Sequence, residues 1–375
     1  WVMSEDYTED VKLGVSILKN LVEDYRKIRN TLRFILSNLY DFEVGEDVKL
    51  HHFDSWMLSK LQRFLGEIHE HYSSYAFHKI YHLVRNFCTR ELSSIYLDVL
   101  KDRLYIYAPD SPERRSAQKV LYELLIALTT SIAPFLSFTA EEVWEHARKI
   151  NPSLPESVFL HRLPRPDKKF IREDLERDYS QLLSLREDVL KALELARRES
   201  LIRHPYEAKV HIKAKGMEEL LRKYADYLGF LFNTSQVELS GDGELRFEGD
   251  KASVGVSRAT GKKCPRCWVY YPEGFFEGEV CKRCSANVVM WAAYTGREDV
   301  LEWFLKDGGD ANAKDSSGFT ALMRAVKRGH GNVVKLLLKY GADINLRDSK
   351  GKTALDYARE RGLRDIEEIL LGGVE

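Results

Sequence analysis

The chain has 375 residues, room for two or three domains, and its 44% hydrophobic and 31% charged content is that of an ordinary globular protein. A formal net charge of −1 excludes a strong attracting field over the whole molecule, although a locally basic face can still take nucleic acid. The most apolar stretch, residues 121–136, falls short of the roughly eighteen residues that a bilayer span needs, so no membrane partner is expected.

Over residues 9–41 the apolar positions Val11, Val15, Leu18, Leu21, Val22, Tyr25, Ile28, Leu32, Ile35, Leu36 and Leu39 recur at three- and four-residue steps, which predicts one long amphipathic helix. A second helix is expected behind Asp54 as N-cap, with Trp56, Leu61, Phe64 and Ile68 inward, and a third over about 75–92. Ser111 and Pro112 carry the signature of a further helix start, and the segment from Thr139 opens a short helix. These make an α-helical bundle, residues 1–160. Prolines 152, 155, 164 and 166 mark its end, after which 172–199 is again helical and heavily charged. Short alternating runs at 208–212, 237–239 and 252–256, around a helix at 217–229, complete a small α+β unit, residues 161–257.

Cys264, Cys267, Cys281 and Cys284 form two Cys-x-x-Cys pairs separated by residues 268–280, which are rich in Tyr, Pro and Gly and suit a short hairpin. Each pair is a knuckle that turns two thiolates toward one point, and the spacing predicts one structural zinc ion in a domain of residues 258–285. With four sulfur ligands no position is left for water, so the ion holds structure and catalyses nothing. Two disulfides are the rival arrangement. The lack of a signal peptide and the lone fifth cysteine, Cys88, favour a reducing, cytoplasmic compartment instead.

Beyond Cys284, Asp315-x-x-Gly318-x-Thr320-Ala321-Leu322 recurs as Asp348-x-x-Gly351-x-Thr353-Ala354-Leu355, a shift of 33 residues that is the period of ankyrin repeats. The same offset aligns Gly296, Gly329 and Gly362, so residues 286–375 read as three units of a short ankyrin solenoid. The counterparts of Asp315 and Gly318 in the first unit are Lys282 and Ser285, so the cysteine knuckle stands where that unit's hairpin belongs. A seam near 285–287 joins two unrelated pieces abruptly. The solenoid carries no chemistry of its own and offers a surface to a protein partner.

On the first helix Arg26, Arg29 and Arg33 share one face, with Lys27 and Asn30 beside it. Such a stripe can grip phosphates and stack on splayed bases; pairing with Glu23 and Asp24 is the plainer alternative. Arg266 and Trp268 flank the second zinc cysteine and would present a cation and an indole together, unless Trp268 only covers the zinc core. Lys262, Lys263, Lys282 and Arg283 add positive charge around the same knuckle. His78 and His82 are four apart but lack a third ligand at motif spacing, and Cys88 reads as a small buried residue.

The segments Asp24-Tyr25-Arg26-Lys27-Ile28-Arg29-Asn30-Thr31-Leu32-Arg33, 87–98 and 134–144, together with the surroundings of Cys264 and Cys267, closely resemble the post-catalytic part of bacterial isoleucyl-tRNA synthetase, from Trp1 to about Cys284. A similar zinc module closes a family of base-excision DNA glycosylases, but the upstream helices do not fit that family. The resemblance implies that residues 1–160 are an anticodon-binding bundle, 161–257 a linker and junction domain, and 258–285 a zinc domain, all serving recognition of isoleucine tRNA. It assigns tRNA contacts to Arg26, Lys27, Arg29, Asn30, Arg33, Lys262, Lys263, Arg266 and Trp268. The family's two ATP signatures occur nowhere in the sequence, so no catalytic residue is assigned and the chain is expected to bind without turnover. The alternative is an ankyrin-based interaction scaffold carrying an inert synthetase remnant.

Overall fold

The computed structural model describes all residues except 12, 46, 240, 241 and 373–375, so the last three residues of the expected ankyrin segment lie outside the description. The chain is mainly helical and forms two compact units, Trp1–Lys101 with Arg115–Ser180, and Asp102–Arg114 with Gln181–Glu375. Among the described residues no helix is long and apolar enough to cross a membrane.

The first unit is built on α1 (Val15–Ser37), α2 (His52–Ser73), α3 (Phe77–Asn86), α5 (Pro112–Ile132) and α6 (Ser137–Ile150), with α4 (Leu97–Ile106) between α3 and α5 in sequence. The long first helix starts at Val15 rather than Glu9, and Val15, Leu18 and Val22 in its first two turns remain exposed. Its apolar stripe closes only from Ile28 onward, where Ile28, Leu32 and Ile35 are buried. Residue 54 is not the N-cap of α2. The His51 ring accepts the Phe53 amide at 3.2 Å, while Asp54 lies inside the helix, fully buried, taking hydrogen bonds from Tyr96 Oη at 2.7 Å and from the Ser116 hydroxyl. A buried carboxylate is tolerable only with such donors, so the Asp54 side chain is committed to Tyr96 and Ser116 and the cap falls to His51. Around it Phe53, Trp56, Tyr96 and Tyr179 pack with ring centroids 5.0 to 5.3 Å apart.

Between α3 and α4 residues Phe87–Tyr96 run as a π-helix. Ser93 and Ser94 hydroxyls reach back five residues to the carbonyls of Cys88 and Thr89, each at 2.7 Å, and satisfy the widened turn. Cys88 is fully buried there, and burial pushes its thiol up to about 12, which makes it inert. Ser111 caps α5 as expected, accepting the Arg114 amide at 3.3 Å.

In the second unit, α7 (Glu173–Arg198), which begins in the first, leads to a four-stranded sheet of order β2-β1-β4-β3. The strands are β1 (Ala208–Lys213), β2 (Gln236–Glu238), β3 (Leu245–Glu248) and β4 (Ser253–Arg258), with β1 parallel to β2 and antiparallel to β4. Strand β3 alternates half-buried and exposed residues and carries Arg246 and Glu248 on its exposed positions, a pattern too polar and too short to be recognised in the sequence. The helix expected at 217–229 is two, α8 (Glu218–Lys223) and α9 (Ala225–Phe232), divided at Tyr224. Two two-residue hairpins follow, β5 (Lys262–Lys263) with β6 (Tyr270–Tyr271) and β7 (Phe276–Glu277) with β8 (Val280–Cys281).

Six helices complete the chain: α10 (Lys282–Thr295), α11 (Glu298–Lys306), α12 (Ala321–Arg328), α13 (Gly331–Lys339), α14 (Ala354–Glu360) and α15 (Arg364–Gly372). Thr320 and Thr353 cap α12 and α14, Thr353 with Asp356 as a capping box, so the repeated Thr-Ala-Leu marks helix starts. The boundary drawn at 285/286 falls inside α10. Cys284 lies in its first turn, while Val289, Ala292 and Ala293 belong to the ankyrin core with Leu301, Leu322 and Val326. One helix therefore serves as the end of the cysteine knuckle and the first helix of the array.

Candidate metal centre and nucleic-acid interface

The hairpin β5–β6 and the strand β8 that runs into α10 each deliver one cysteine pair. All four Sγ atoms lie within 4.8 Å of one another, with Cys267 and Cys281 3.8 Å apart, and all four residues are buried. Backbone amides support them: Cys281 N–H points at Cys264 Sγ at 3.4 Å, and Trp268 N–H donates to the Cys264 carbonyl at 2.9 Å. Four thiols converging on one point, and not sorted into two pairs, are a group that could hold a metal ion. Val269 is buried with them, and Ile106, Tyr206, Tyr271, Phe276 and Val280 pack around this small core.

Trp268 does not cover that core. It is 50% exposed, and its backbone sits at φ +66°, in the left-handed region that a bulky residue rarely adopts. The knuckle turn imposes this strain and holds the indole out toward solvent. Lys263 Nζ lies 5.2 Å from the ring centroid, and the His204 ring meets it edge-on at 5.5 Å. Burial and the nearby Lys263 charge hold His204 below its ordinary range, so it is neutral at neutral pH.

The other cations of the knuckle divide. Lys262 and Lys263 are exposed, Lys262 over the Phe276 ring at 4.8 Å. Arg266 is half-buried and donates to the Ile106 carbonyl at 2.9 Å. Arg283 corrects the sequence reading. Its guanidinium is held bidentately by Asp102 at 2.6 and 2.9 Å, both side chains largely buried, and stacks near Tyr107 and Phe230, so it is bound internally and offers no phosphate contact.

In the first unit the cationic stripe of α1 also divides. Arg26 pairs with Glu23 at 2.5 Å, and Lys27 lies 3.9 Å from Asp24. Arg29, Asn30 and Arg33 instead line a groove of about 630 Å³ whose other wall is α6, with Glu142, His146 and Lys149. Arg29 bridges the walls through Glu142 at 2.8 Å. His146 and Lys149 were not singled out from sequence, because nothing in a charged helix shows which face will lie opposite α1. Asp24, on the buried face of α1, ties that helix to α3: it accepts from Tyr81 Oη at 2.6 Å and pairs with Arg85 at 2.6 Å. Burial alone would raise its carboxyl, but those two donors and the Arg85 and Lys27 charges hold it below the usual carboxylate range.

A further groove in the second unit, about 740 Å³, is lined by Arg197, Arg203, Arg258, Glu207 and Tyr270. Arg203 and Arg258 are 55 residues apart in sequence and were invisible as a cluster; Arg258 is fixed by the Leu201 carbonyl at 2.9 Å.

Residues 54–212 match the anticodon-binding domain of tRNA ligase, and residues 289–375 match ankyrin repeats in three copies. The isoleucine–tRNA ligase of Aquifex aeolicus is 57% identical over 293 residues, 76% of this chain and 31% of that protein. Those of Persephonella marina and Thermotoga maritima are 51% and 45% identical, over 77% and 76% of the chain and 32% of each relative. The chain spans about a third of the length of the curated relatives it matches.

Proposed function

We infer that this chain, which carries the anticodon-binding part of the isoleucine–tRNA ligase family joined to an ankyrin array, binds isoleucine tRNA through its anticodon arm and performs no chemical step by itself. The observation that carries this reading is Trp268, held half-exposed in a strained turn beside Lys263. The Lys263 and His204 contacts leave half of the indole open to solvent, and that open surface offers an unstacked base a stacking partner worth about 1–3 kcal/mol. Arg29, Asn30 and Arg33 in the α1–α6 groove, with Lys262 and Lys263 at the knuckle, supply phosphate and base contacts. Arg26, Lys27 and Arg266 are engaged by Glu23, Asp24 and the Ile106 carbonyl, and Arg29 by Glu142, so each of these cations shares or exchanges that partner when it meets RNA.

The metal is one structural zinc ion on Cys264, Cys267, Cys281 and Cys284. An all-thiolate set is soft, and a tetrahedron with Zn–S of about 2.3 Å puts its sulfurs about 3.8 Å apart, in keeping with the 3.8 Å between Cys267 and Cys281. The ion fixes the turn that presents Trp268. A cytoplasmic location goes with this reading, since reduced thiolates persist there. The ankyrin array supplies a surface for a protein partner.

Binding to isoleucine tRNA, and to a copy with a changed anticodon, across a salt series tests the proposal. Tight, anticodon-sensitive binding is expected, with affinity falling steeply as salt rises. Replacing Arg29 and Arg33 by Ala should weaken binding and make the slope of log K against log salt shallower by about 1.4–1.8. Weak binding that ignores the anticodon would refute it.

A further inference from the structure

The 33-residue period places Trp291, Arg324 and Tyr357 at equivalent positions, on α10, α12 and α14. In the third repeat Tyr357 Oη donates to the hairpin carboxylate Asp348 at 2.5 Å. Arg324 makes the same reach in the second repeat, with Nη2 2.6 Å from Asp315 Oδ2. Asp315 is already bracketed within its own repeat by the Ser317 amide and hydroxyl and the Phe319 amide, at 2.7 to 2.9 Å.

Arg324 differs from Tyr357 in being a cation, and its side chain is 0% exposed. A guanidinium with no access to water needs its donors and its charge met on every side. Nη1 donates to the Phe319 carbonyl at 3.3 Å, and Nε pairs with Asp110 Oδ1 at 2.6 Å. Asp110 comes from outside the array, 214 residues earlier in the chain, in the turn between α4 and α5. The same turn makes a second contact: Asn287 on α10 accepts the Ala108 amide at 2.9 Å through Oδ1, while its Nδ2 donates to the Arg283 carbonyl at 2.9 Å. Asp102, one helical stretch earlier, clamps Arg283.

We propose that the inner helices of the ankyrin array form a docking surface for an acidic turn, and that the ligand of this surface is the chain's own Tyr107–Asp110 turn, read by the buried Arg324 and by Asn287. The array is thus bound in cis to the segment that also braces the cysteine knuckle.

Hydrogen exchange on the full-length, metal-loaded chain tests this. In Asp110→Asn, amides of residues 102–112 and of α12 should exchange faster together, by about tenfold or more, the scale set by breaking a buried ion pair. Arg324→Met, an uncharged side chain of similar reach, should speed 102–112 in the same way. The double variant should be less perturbed than the sum of the two. Additive effects, or a 102–112 segment indifferent to Arg324→Met while α13 stays protected, would overturn the proposal. Should Arg324→Met unfold the array, Asp110→Asn decides: no change in either segment refutes cis docking.

Discussion

At the scale of single residues, environment separates side chains that the sequence treats alike. Arg26, Arg29 and Arg33 stand on one helix face, yet Arg26 is spent on Glu23 while the other two meet α6. Trp268 allows a sharp separation of structure from binding. Glycine adopts φ near +66° without steric cost, so Trp268→Gly should keep the metal and lose no stability at the turn, while tRNA affinity falls about tenfold or more. Metal analysis, thermal unfolding and a binding titration on the same preparation check all three. Asp24 gives a pH prediction. Its carboxyl is depressed in the folded state, so its contribution is present above the unfolded pKa of about 3.9 and is lost as pH falls through the lower folded value. Asp24→Asn should therefore cost about 1–3 kcal/mol at neutral pH, and the gap from wild type should shrink in acid. A gap independent of pH down to the acid transition would contradict the assignment.

At the scale of elements, the knuckles are two-residue hairpins with almost no hydrogen bonding of their own, too short to persist alone. Their stability has to come from the thiolate cluster. If the proposed zinc ion is bound there, replacing Cys281 and Cys284 by Ser should reduce bound metal to near zero and unfold the 262–284 segment, since such sites contribute about 10 kcal/mol or more to a small fold. Unchanged metal content in that variant would remove the site. Because Cys284 lies in the first turn of α10, the loss should also raise amide exchange in that helix, which no isolated zinc module could transmit.

At the scale of the molecule, the cysteine knuckle and the ankyrin array share one backbone helix, and the turn between α4 and α5 shares one buried ion cluster with the array. The sequence seam at 285–287 is real as a change of pattern, but it is not a hinge, since α10 runs through it without a break.

The elements with strong periodicity, caps or spacing were legible in the chain itself: the helices carrying Ile28, Leu32 and Ile35, the Ser111 start, the 33-residue repeat and the four cysteines. Each depends on neighbours within a few residues or on an exact recurrence, and such signals survive in one dimension. Tertiary structure alone decided the rest. It turned Asp54 from a cap into a buried acceptor, divided the helix at Tyr224, and tied Arg283 to Asp102. It also brought His146 and Lys149 opposite Arg29, and joined Arg324 to an aspartate 214 residues away. Those outcomes depend on which polar groups lose water together and must satisfy one another, and burial is a property of the packed chain that no local pattern of residues encodes.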